Sequence, residues 1–110
     1  MEMKELLAWI EKENQRLRDR YDKEDEEKRT YTRTIKLVEE VGELCNEVLL
    51  TGKQQRAEKL ADYDEENLSH EFADVLITTL LLAQHMRVDV EDALKNKIQK
   101  IDNRYEKRDK

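Results

Sequence analysis

Apolar residues recur along this chain in steps of three and four, the spacing of helix faces rather than strands. Leu6, Leu7, Trp9, Ile10 and Leu17 mark a first helix from about Lys4 to Tyr21. Leu37, Val41, Leu44, Cys45 and Val48 draw a core stripe down a second, from about Tyr31 to Thr51. Thr30 or Thr32 is placed to cap its start and Gly52 to stop it. The stretch before it, DKEDEEKR (22–29), carries too much charge to bury and is expected to be a linker or a frayed end. After a polar connection over 53–65, a third helix opens between Asp64 and Ser69 and runs to about Met86. Its segment ADVLITTLLLA is apolar on nearly every side, the pattern of a central helix. The fourth starts at Asp89, whose side chain can cap it with Asp92 reaching back, and continues to about Arg108.

Composition turns this pattern into a fold class. The chain has no proline and only two glycines in 110 residues, too few turn residues for a β-rich domain. The expectation is one domain over 1–110, an all-α four-helix bundle. So small a bundle leaves apolar surface on Leu49, Leu50 and the Leu80–Leu82 run, which assembly into a homodimer or homotetramer would cover.

Charge removes several partners. With 27 acids against 21 bases the net charge is −6, which excludes a nucleic-acid polymer as a general partner, although a local basic patch can hold one nucleotide. The longest apolar stretch, Val75 to Ala83, falls far short of the roughly 20 residues that span a bilayer. The N-terminal MEMKELLAWIEKEN has no signal-peptide core. A soluble cytoplasmic protein with no membrane partner is expected. Cys45, the only cysteine, is read as a small buried residue in a reducing compartment.

The acids are not evenly spread. Within KLVEEVGELCNEV (36–48), Glu40 and Glu43 project from one side a turn apart, and Glu39 neighbours Glu43. Glu71 and Asp74 repeat the three-residue spacing at the entrance to the most apolar helix, where a carboxylate needs a cation, a hydrogen-bond network or a proton. If the second and third helices are antiparallel, both pairs lie about 10–18 Å from their connection at 1.5 Å rise per residue. A nest of four carboxylates suits a hard divalent cation such as Mg²⁺, with Mn²⁺ able to substitute. Zinc does not fit, because no Cys/His cluster accompanies the acids. A di-iron bundle would need Glu-x-x-His, and Asn67 and Leu82 stand where those glutamates should be. His70 and His85 are therefore read as structural or surface residues, and Glu47 as solvated flank.

LVEEVGEL (37–44) followed by EFAD (71–74) resembles the EExxE…ExxD signature of the MazG-like all-α nucleoside triphosphate pyrophosphohydrolases, whose superfamily includes dCTP pyrophosphatases and dimeric dUTPases. The likeness covers about 31–105. It implies Glu40, Glu43, Glu71 and Asp74 as Mg²⁺ ligands, and Glu39 as a further ligand or the group that orients the attacking water. It implies a nucleoside triphosphate substrate, hydrolysed at the α-phosphorus to the monophosphate and pyrophosphate. Lys97, Lys100, Arg104 and Tyr105 are similar to a tail that contacts phosphates in dCTP-pyrophosphatase-like members. The competing reading of those bases is a solvated face favoured by the helix dipole. The chain departs from such relatives at Ile101, where Asn is usual, and at Leu50, where an aromatic is usual, two positions that help hold the base. Trp9, Tyr31 and Tyr63 can stack on a base or simply pack. Gly42, mid-helix, is expected where another helix or the metal site comes close. The alternative function is a non-catalytic helical interaction module, or a nucleotide-binding regulator, that keeps the fold.

Overall fold

The computed structural model describes residues 1–51 and 65–109, and every regular element among them is a helix. These are α1 (Met3–Arg20), α2 (Glu26–Thr51), α3 (Glu65–His85) and α4 (Val90–Asp109). Among the described residues the all-α, four-helix expectation is met. Gly52, Tyr63 and the connection from 53 to 64 lie outside the described residues.

The charged run 22–29 is not wholly a linker, because α2 already begins at Glu26. The Asp25 carboxylate accepts the Lys28 N–H at 2.8 Å, and Glu26 and Glu27 fill the first turn, where the helix dipole favours acids. Arg29 closes the corner by pairing with Glu26 at 3.0 Å and donating to the Tyr21 carbonyl at 3.2 Å. Neither threonine caps the helix. Thr30 sits inside it, donating to the Glu26 carbonyl, and Thr32 follows within the same helix.

The turn from α3 to α4 is a Schellman closure. Val88 N–H reaches the Ala83 carbonyl and Arg87 N–H the Gln84 carbonyl, with Arg87 at φ 61°, a position usually given to glycine. Asp89 then caps α4 by accepting the Asp92 N–H at 3.0 Å. The Asp92 side chain does not reach back; it accepts from Asn96.

α3 is the hub, packed along α2 and α1 and touching α4 only sparingly. Thr30 Oγ1 lies 2.8 Å from His85 Nε2 at one end of the α2–α3 seam, and Glu40 and Glu43 lie against Glu71 further along. Those pairings make the two helices antiparallel. On the other side Ile10, Leu80 and Leu81 form the core, with Leu6, Leu7, Leu17, Ile77 and Val90 packed against it. Asn14, fully buried, ties α1 to α3 by donating to the Leu81 carbonyl and to Gln84.

The face of α2 turned inward differs from the predicted stripe. Leu37, Glu40, Leu44, Glu47 and Leu50 are buried or half-buried, whereas Val41, Cys45 and Val48 are exposed. The stripe is rotated by about one residue, 100°, because the seam centres on Glu40. Leu50, Leu80 and Leu81 are likewise covered within the chain. Leu49 is exposed as expected, and further exposed apolar surface lies on Tyr31, Ile35 and Val38 along α2 and on Leu94, Ile98, Ile101 and Tyr105 along α4. Gly42 is exposed too, and a Cβ added there would meet nothing within 4 Å, so no close approach among the described residues explains it. The radius of gyration, 17.7 Å, exceeds the roughly 13 Å of a compact chain this long. Among the described residues no helix is long and apolar enough to cross a membrane.

Candidate metal centre

α2 presents Glu40 and Glu43 one turn apart, and the antiparallel seam sets Glu71 of α3 opposite them. One carboxylate oxygen from each of the three lies within 4.8 Å of the other two. Glu40 is buried, Glu71 half-buried and Glu43 exposed, so the cluster is walled by packing on one side and open on the other.

Its electrostatics follow from that placement. The Glu71 carboxyl is held above the ordinary carboxylate range, first by burial, then by the charges of Glu43, Asp74 and Glu40 and a hydrogen bond with Glu43. Lys36, one turn before Glu40, sets its ammonium 3.0 Å from Glu40 Oε1; that hydrogen bond, and then the Glu40 charge, push the lysine pKa up. Glu40 Oε2 and Glu71 Oε2 are enclosed without any hydrogen-bond partner. Two buried acceptors lacking donors, in an all-oxygen donor set, fit a hard divalent cation.

Asp74 stands outside the trio, exposed, though its charge acts on Glu71. Glu39 is more than half exposed and lies 3.7 Å from Lys36 Nζ. Glu47 is not solvated flank: it is half-buried on the Glu40 face, with Oε2 enclosed and unpartnered. The heptad spacing from Glu40 to Glu47 carried that signal. His70 is exposed, 3.8 Å from Glu66, and buried His85 faces Thr30 and Glu26, so neither joins the acids.

A half-open cavity of about 400 Å³ adjoins the cluster, lined by Leu17 of α1, Tyr21 and Glu24 of the turn after it, Arg29, Arg33 and Lys36 of α2, and Leu81 of α3. The sequence reading missed these bases, although positions 29, 33, 36 and 40 share one helical face. Lys97, Lys100, Arg104 and Tyr105 are exposed on α4 and none lines that cavity; Lys100 and Arg104 border an open depression with Asn103 and Lys107.

No curated protein and no solved structure matches the chain significantly. The family model of the MazG nucleotide pyrophosphohydrolase domain does match, over residues 28–108, which contain the acidic trio, the cavity's bases and all of α3 and most of α4. The chain belongs to the MazG nucleotide pyrophosphohydrolase domain family.

Proposed function

We propose that the protein hydrolyses a (deoxy)nucleoside triphosphate to the monophosphate and pyrophosphate, with Mg²⁺ as cofactor and Mn²⁺ able to substitute, as a cytoplasmic housekeeper of the nucleotide pool. One observation carries this reading: in a chain of this family, three converging carboxylates hold two enclosed oxygens that have no partner. Glu40, Glu43 and Glu71 would hold the ion, with Asp74, whose charge also acts on Glu71, as the proposed fourth ligand. When bound, the ion joins an anionic substrate to an acidic protein and offsets the charge that builds on the phosphates.

Glu39, exposed beside the trio, is the group to orient the attacking water and take its proton. The water oxygen bonds to the α-phosphorus, and the bond from that phosphorus to the α,β-bridging oxygen breaks. Pyrophosphate leaves with that electron pair, and the proton passes through the carboxylate to solvent. Lys97, Lys100, Arg104 and Tyr105 are proposed substrate contacts. Because α4 barely touches α3, assembly of subunits would bring them to a site. The exposed apolar rows on α2 and α4 support a homodimer or homotetramer.

Pyrophosphate release from a panel of ribo-, deoxyribo- and damaged triphosphates tests the reading. Turnover of at least one is expected with Mg²⁺, reduced about 100-fold or more in Glu40→Gln and Asp74→Asn. A panel with no substrate removes the enzymatic reading. The Lys36–Glu40 pair favours a second reading, a non-catalytic module in which a lysine already supplies the cation. That module would show no rise in melting temperature with Mg²⁺.

A further inference from the structure

Arg33 is the least satisfied cation among the described residues. Its Nε and Nη2 are enclosed with no acceptor. Burial, and then the charges of Arg18 and Arg29, hold its pKa below the usual arginine value, against a weaker opposing pull from Glu24 and Glu26. Arg29 beside it is largely paired, through Glu26 and the Tyr21 carbonyl. Enclosing unpaired guanidinium donors costs stability, and a phosphate, with oxygens for both donors, is the group that satisfies them.

The position of Arg33 says which phosphate. Lys36 borders the same cavity and bonds Glu40, so cavity and carboxylates form one continuous strip. Lys36 stands one turn and Arg33 two turns before Glu40, each turn advancing about 5.4 Å. From a phosphorus reacting at the carboxylates, the next two phosphates of a linear triphosphate can run along this face.

We propose that Arg33, with Lys36, forms a diphosphate subsite that takes the β- and γ-phosphates, the part of the substrate that leaves as pyrophosphate. This rests on the reading of the protein as a triphosphate pyrophosphohydrolase and names the side chains that grip its leaving group. It places that grip on α2, apart from the basic face of α4.

The test is titration calorimetry with inorganic pyrophosphate, in EDTA and in Mg²⁺, on wild type, Glu71→Gln, Arg33→Gln and Arg33→Lys. Wild type and Glu71→Gln are expected to bind in EDTA. Arg33→Gln should bind at least about tenfold more weakly, the lower end for hydrogen bonds to charged groups, and Arg33→Lys should fall between. In steady state Arg33→Gln should raise KM and weaken pyrophosphate inhibition by a similar factor. Its melting temperature should be unchanged or higher, since an enclosed unpaired cation is gone; were it to misfold, Arg33→Lys carries the comparison.

Unchanged pyrophosphate affinity and KM in Arg33→Gln would overturn the proposal. So would the absence of pyrophosphate binding to wild type in either buffer. A shifted base preference with unaltered pyrophosphate affinity also overturns it, by placing the base in the cavity. If wild type turns over no triphosphate, the functional reading falls alone, and pyrophosphate binding lost in Arg33→Gln still supports the subsite.

Discussion

Replacing Glu71 with Gln should make the protein more heat-stable without metal and less so with it. Carboxylate oxygens within 4.8 Å of each other repel by about 0.9 kcal/mol at the dielectric of water and about 3.5 kcal/mol at an effective dielectric of 20. Glu43 is exposed, which favours the lower value for its pair with Glu71, and Lys36 already offsets part of the Glu40 charge. Removing the Glu71 charge should therefore stabilise the metal-free chain by about 1–2 kcal/mol, or about 4–8 °C for a domain near this size. Mg²⁺ at 100 times its dissociation constant should add about 2.7 kcal/mol to wild type and much less to a variant lacking one ligand. Thermal melts of both proteins at one concentration, in EDTA and in Mg²⁺, should cross. Two outcomes refute the reasoning. A variant less stable in both buffers means that Glu71 is held by structural bonds, and a wild type indifferent to Mg²⁺ means that the trio binds none.

Two further outcomes follow from the same geometry. Because burial and then Glu43, Asp74 and Glu40 raise the Glu71 pKa above 4.5, the metal-free folded chain holds that proton more tightly than the unfolded chain. Unfolding then releases it, so the melting temperature of wild type relative to Glu71→Gln should fall as pH rises from about 4.5 through the raised value, and level off above; a difference flat with pH contradicts this. Ile10 is fully buried against Leu80 and Leu81, so Ile10→Ala should cost about 2–5 kcal/mol in urea unfolding while leaving Mg²⁺ affinity unchanged, the α1–α3 core being separate from the α2–α3 seam.

How much could be read from the sequence depended on the kind of information each residue carries. Helix positions and the pairing of Glu40 and Glu43 with Glu71 were legible, because periodicity and spacing survive in a single chain. The early start of α2 was not, because a run of acids reads as too charged to fold until Asp25 is seen as a cap and Glu26 and Glu27 as dipole partners. The direction of the α2 face was also misjudged. Val41, Cys45 and Val48 look like core by hydropathy, yet the seam turns on Glu40, and a polar residue at a seam position looks like surface. Arg33 shared that ambiguity: a basic residue on an acidic helix reads as solvated until its donors are found enclosed.

The thinness of the core has a consequence for the cell. Among the described residues few large apolar side chains are buried, and rows of them on α2 and α4 lie in water. If copies of the chain cover one another there, dilution weakens the fold and the assembly together, and stability becomes a property of concentration. Abundance would then govern both how many copies exist and what fraction of them is folded.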